Sequence, residues 1–137
     1  MAQDVGYDFA TGPSVTLLSS DLADASQSAW TGSVDFGAPA PLGFGFEIIL
    51  TTLTGATGPC ALQVAWSHDD SDFSDDDNGE IVDIVQCTAS TDKKKVGAHP
   101  IKAQYAKFRL DNQSGGSIDG TASNTALVLH DIFADQA

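Results

Sequence analysis

Positive charge is the scarcest commodity in this chain: six lysines and arginines stand against 19 acids in 137 residues, a formal net of -13 with a pI near 4.1. Affinity for phosphate comes from Lys and Arg, so a nucleic-acid partner is disfavoured. Cysteine is almost missing. Cys60 and Cys87 are too few for a disulfide framework or a zinc ribbon, so the fold has to rest on packing, with each thiol expected as a small buried hydrophobe. Long apolar runs are absent too. The longest, Leu42 to Leu53, is broken by Glu47, two glycines and threonines, short of the ~20 apolar residues a membrane helix needs. Met1 to Gly12 holds no basic residue and no apolar run of signal-peptide length, so no export signal is expected there.

Catalytic patterns are equally sparse. His68, His99 and His130 are far apart in sequence, and neither HExxH nor a nucleophile elbow occurs. Gly43-Phe44-Gly45 opens a strand rather than a helix, which excludes a phosphate loop. Paired carboxylates meet only in a fold, but nothing here points to an enzyme, and none is expected.

The residues that are present favour strands. Hydrophobic residues make up 42% of the chain and mean hydropathy is -0.06, ordinary for a folded domain. Gly, Pro, Ser, Thr, Asp and Asn recur between runs rich in Val, Ile, Thr and Phe. Strands are expected at Val15 to Leu18, Ala29 to Phe36, Phe44 to Leu53, Cys60 to Ser67, Ile81 to Thr88, Lys102 to Leu110 and Asn124 to Phe133, with a leading one near Tyr7 to Phe9. Alternation places Phe44, Phe46, Ile48 and Leu50 on one face. Cys60, Leu62, Val64 and Trp66 share another, as do Ala106, Phe108 and Leu110. The only helical segment on offer is Ser20 to Gln27, with Ser19 or Ser20 as cap. About eight short strands and no βαβ pattern predict an all-β fold: a single antiparallel β-sandwich or closed barrel over residues 1–137, with 1–13 as an extended arm.

Four features could carry function. The stretch His68 to Glu80 is rich in Asp, and closely spaced carboxylates bind hard cations. An EF-hand is excluded: with Gly79 at the loop glycine, Val85 stands where the bidentate Glu belongs. A looser calcium site would draw on Asp70, Asp72, Asp75 and Asp77; the plainer expectation is a solvated hairpin tip and no cofactor. If that hairpin sets Trp66 opposite Ile81, Cys60 faces Cys87 near disulfide range. Lys93, Lys94 and Lys95 read as an exposed loop, or as a basic spot for an acidic partner such as the Asp-rich loop of a neighbouring copy. Trp30, Trp66, Phe44 and Phe46 are the aromatics a sugar-binding face would use, with core as the simpler expectation.

The layout resembles small head decoration (cement) proteins of tailed bacteriophages, a resemblance that implies a jelly-roll-like, antiparallel β-sandwich. Those chains open with a Val-Thr-Leu segment and a Ser/Ala-rich turn, as do Ser14-Val15-Thr16-Leu17-Leu18 and Asp21 to Ser28. A long central strand follows, then a strand ending in Ser-x-Asp with an aromatic after it, as in Ser67-His68-Asp69 and Phe73. A late strand runs into Asn-x-Ser-Gly, here Phe108 to Gly115, before a last strand, Ala126 to Phe133. The enlarged Asp-rich loop departs from the pattern, where a glycine usually follows Ser-x-Asp. The resemblance implies a virion structural protein, made in the host cytoplasm, that binds the capsid exterior as a homo-dimer or homo-trimer and clamps major capsid subunits. Residues near the termini, Tyr7 and Phe9 among them, would add to a capsid sheet edge. The competing expectation is a phage tail or fibre module, or a carbohydrate-binding sandwich.

Overall fold

The computed structural model describes residues 7–74, 79–121 and 125–134. Among the described residues, nine strands form two antiparallel sheets: β1 (Tyr7–Val15), β2 (Ser26–Gln27), β3 (Val34–Asp35), β4 (Gly43–Thr51), β5 (Pro59–Ser67), β6 (Glu80–Gln86), β7 (Asp92–Pro100), β8 (Tyr105–Asn112) and β9 (Ala126–Ala134). One sheet runs β1-β9-β4-β7. The other runs β2-β8-β5-β6, with β3 also paired to β8. If β2 and β3 are taken as one interrupted strand, the eight positions order as 1-8-3-6 and 2-7-4-5. That is a jelly-roll order: of the sandwich and the closed barrel that the strand pattern leaves open it is the sandwich, in the form the family resemblance implies.

The alternating faces meet in one core. Phe44, Ile48 and Leu50 of β4, Cys60, Leu62 and Val64 of β5, and Ala106, Phe108 and Leu110 of β8 are all fully buried, with Leu127 and Leu129 of β9 beside them. Burying a large apolar side chain is worth about 1.5–3 kcal/mol, so this inter-sheet layer dominates stability. Phe46 lies opposite Gly97 on β7, and a Cβ there would fall 2.5 Å from the Phe46 ring. Glycine is what lets the edge strand close over that ring.

The expected outer faces are less wet than alternation suggests. Gln63, Ala65 and Ser67 of β5 and Arg109 of β8 are buried as well, because segments on the far side of this sheet roof it. Lys107 sits over the rings of Phe73 and Trp30, and the Arg109 guanidinium lies 4.3 Å from the Trp30 ring centre while its Nε donates to Gln63 Oε1 at 2.7 Å.

Several expectations need correction. No helix forms over 20–27: Leu22 bridges Ile118, a turn follows with Ala25 at φ 57°, and Ser26–Gln27 pairs with β8. Ser26 donates to the Asp24 carbonyl at 3.4 Å, while Asp21 and Asp24 accept the distant amides of Gly120 and Gly115 at 2.8 Å rather than cap a helix. From Tyr7 onward the segment read as an arm is strand, paired with β9 through a bulge between Thr11 and Ser14; residues 1–6 lie outside the described residues. Of Val15 to Leu18 only Val15 is in a strand, although Leu17 and Leu18 are buried. Ala29 to Phe36 shortens to β3, preceded by isolated backbone bonds from Ser28 to Leu110 and from Thr31 to Phe108. The lysine run, read as a loop, is the strand β7.

Candidate interaction surfaces

The open flank of the sandwich is where β6, an edge of one sheet, comes beside β7, an edge of the other. Side chains lace the two. Lys95 Nζ donates to Asp83 Oδ1 at 2.8 Å and to the Ile84 carbonyl at 2.9 Å, occupying an acceptor on the free edge of β6. Glu80 receives His99 Nε2 at 2.8 Å on one oxygen and Lys102 Nζ at 2.7 Å on the other. The His99 ring lies against Phe44 and Trp66, with centroids 5.5 and 6.0 Å away, so it caps the aromatic end of the core while its edge reaches the acid. Charge at an edge strand discourages pairing with foreign strands, and here the charges also tie sheet to sheet. Ile81 and Ile84 remain exposed on β6.

This seam changes the meaning of the basic spot. The inward register positions of β7 are Lys93, Lys95, Gly97 and His99, opposite Leu50, Ile48, Phe46 and Phe44. Lys95 is engaged within the molecule. Lys94 projects outward and pairs with Glu47 at 3.3 Å. The three lysines therefore serve different faces of one strand.

The Asp-rich loop begins as an organised turn. Asp69 Oδ1 accepts the Ser71 and Asp72 amides at 2.9 and 3.0 Å and the Ser67 hydroxyl at 2.9 Å, and these bonds hold its carboxyl below the usual aspartate value. Ser74 closes the turn onto Trp66: its amide donates to the Trp66 carbonyl at 2.8 Å and its hydroxyl accepts the Trp66 amide at 3.0 Å. Asp70 and Asp72 are exposed, and Asp75 and Asp77 lie outside the described residues. Among the described residues no three His, Cys, Asp or Glu side chains gather closely enough to hold a metal.

The cysteines do not face each other. The hairpin sets Gln63, not Trp66, opposite Ile81, and after a one-residue register shift between Leu62 and Gln63 Cys60 stands opposite Val85 rather than Cys87, with Pro59 opposite Gln86. Cys87 lies past the end of β6, its amide bonded to the Gly58 carbonyl at 2.9 Å, and both thiols are free and buried. Desolvation, with Cys87 and Asp111 nearby, pushes the Cys60 thiol up to about 12.

Of the aromatics weighed for a sugar face, Phe44, Phe46 and Trp66 are core. Trp66 Nε1 is buried with no hydrogen-bond partner among the described residues. Trp30 is packed beneath Arg109 and Lys107. The histidines are dispersed: His68 is exposed beside the Asp-rich loop, His99 sits in the seam and His130 on the outside of β9. The backbone of Tyr7 and Phe9 lies on β1, at the edge of its sheet; their side chains fall outside the described residues.

The residue that reading by sequence undervalued is Asn112. Taken as turn chemistry, it is a fully buried hub. Its Nδ2 reaches the carbonyls of Leu22, Ala23 and Gly116 at 3.0, 3.1 and 2.8 Å, and its Oδ1 accepts the amide and hydroxyl of Ser114 at 3.0 and 2.6 Å. It pins the excursion between β1 and β2 to the turn after β8. The Asn-x-Ser-Gly spacing was the available signal, with Gly115 at φ 90° completing the turn.

A scan against protein-family models returns no match to this chain, and a search of curated proteins finds no similar sequence.

Proposed function

We propose that this chain is a non-enzymatic virion structural protein that decorates a tailed-phage capsid from outside and stabilises it by clamping neighbouring major capsid subunits. The observation that carries this reading is the jelly-roll strand order, an architecture recurrent in viral capsid proteins. It joins the resemblance of the Val-Thr-Leu opening, the Ser-x-Asp turn and the Asn-x-Ser-Gly turn to head decoration proteins. Physical properties agree with that role. The edges of the β6–β7 flank are tied together by the Lys95–Asp83 ion pair and the His99–Glu80 contact, which suits a rigid body under load. A net charge of -13 limits the clumping of decorated particles. Many weakly bound copies on one shell gain from avidity.

A carbohydrate-binding or tail module is the second reading. It loses support because three of the four aromatics it would display are core.

Co-sedimentation with undecorated heads separates the two, run with and without a calcium chelator. The capsid reading expects saturation at a fixed copy number per shell, indifferent to the chelator. Failure to bind heads combined with retention on a glycan surface would reject it in favour of the tail module.

A further inference from the structure

The four-stranded sheet has an outer face of unusual character for so acidic a molecule. By register, the row across its middle is Val128 of β9, Glu47 of β4 and Val96 of β7, with Ile49 and Ile132 on neighbouring rows. Val96 is 65% exposed and the other three apolar side chains are half-buried. Gly43 and Gly45 leave the centre flat. The opposite sheet differs, since Trp30 and Phe73 roof it.

Charge sets this face apart. Of the 19 acids in the chain, its described register positions hold Glu47 and Asp92, and they also hold Lys94. Lys94 lies 3.3 Å from Glu47, and Asp92 accepts the Thr51 hydroxyl at 2.9 Å. The face thus carries about one of the thirteen net negative charges, where a second copy can approach without the repulsion that opposes contact elsewhere. The Glu47–Lys94 pair also makes the face self-complementary: about a two-fold axis each lysine meets the partner's glutamate, as an isologous contact requires.

We infer that this face is a homodimer interface, two copies packing their β1-β9-β4-β7 sheets against each other. Four strands ~4.8 Å apart and ~30 Å long give roughly 500–600 Å² per copy. The total, about 1,100 Å², lies at the small end of specific interfaces and fits a dimer of roughly micromolar affinity. The inference is independent of the capsid reading.

Sedimentation equilibrium on the purified chain tests it. The wild type is expected to pass from monomer to dimer across the micromolar range. Val96→Glu, at an exposed position, is expected to stay monomeric with an unchanged circular dichroism spectrum and melting temperature. Glu47→Lys and Lys94→Glu should each weaken association about tenfold or more. The double exchange E47K/K94E should restore it to within about threefold of wild type. A wild type that stays monomeric to hundreds of micromolar would overturn the inference, as would a Val96→Glu variant that still dimerises. Monomers whose binding to heads is lost in Val96→Glu would assign the face to the shell instead.

Discussion

Replacing Asn112 with alanine removes an amide that reaches five partners at 2.6–3.1 Å in a site with no solvent access. A hydrogen bond contributes about 0.5–1.5 kcal/mol net, and leaving a buried partner unmade costs about 1–3 kcal/mol. The Nδ2 bonds share two hydrogens, so they do not add fully. A loss of about 3–5 kcal/mol follows, against a total stability of about 5–15 kcal/mol. The melting temperature should fall by roughly 10–17 °C. Urea unfolding gives the cleaner reading, because the midpoint should drop with the slope unchanged. Asn112→Asp is the sharper variant: it sets an oxygen against the carbonyls of Leu22, Ala23 and Gly116 and buries a charge, so it should be less stable than Asn112→Ala at neutral pH. A loss below about 1 kcal/mol for alanine, or an aspartate variant no worse than it, would refute the hub.

Cys60 favours its protonated form in the fold, its pKa raised from 9.0 to about 12, so the stability it confers is complete below pH 9 and is lost as pH rises toward 12; urea midpoints across that window should fall, and Cys60→Ala should flatten the decline. The native thiols should also resist alkylation at pH 8, with both reacting after denaturation, as mass spectrometry would record. Asp69 has a lowered carboxyl pKa, so its contribution is present above the ordinary aspartate value and disappears as pH falls below it; Asp69→Ala should speed amide exchange at Ser71 and Asp72 with little change in the global melting temperature. Glu80→Gln removes the anion shared by His99 and Lys102 at a half-exposed site, so it should cost no more than about 1 kcal/mol, and the difference from wild type should shrink in high salt when followed by thermal unfolding.

Where one face of a strand is core, period two is written plainly, and β4, β5 and β8 were legible within a residue or two at most ends. β7 was not. Its inward positions hold Lys93, Lys95, Gly97 and His99, because it lies at an open flank where a lysine stem covers the core edge while its ammonium reaches Asp83. Register was the second failure. The hairpin sets Gln63 rather than Trp66 opposite Ile81, an offset that no local pattern encodes, and that displaced Cys87 from Cys60. The segment 20–27 carried too little periodicity for a helix, and the bridge of Leu22 to Ile118 that replaces one joins residues far apart in the chain. Asn112 was visible as a turn residue, but its burial depends on the segment at Leu22 folding over it. Asp69 was legible in kind, since Asp after Ser-His favours a local turn.

Clamping, the central claim, is tested most directly by heating DNA-filled heads with and without the bound protein and recording the temperature at which DNA is released. The account predicts that release shifts upward in proportion to occupancy and stops rising at the saturating copy number. Saturated heads that release DNA at the same temperature as bare heads would contradict it.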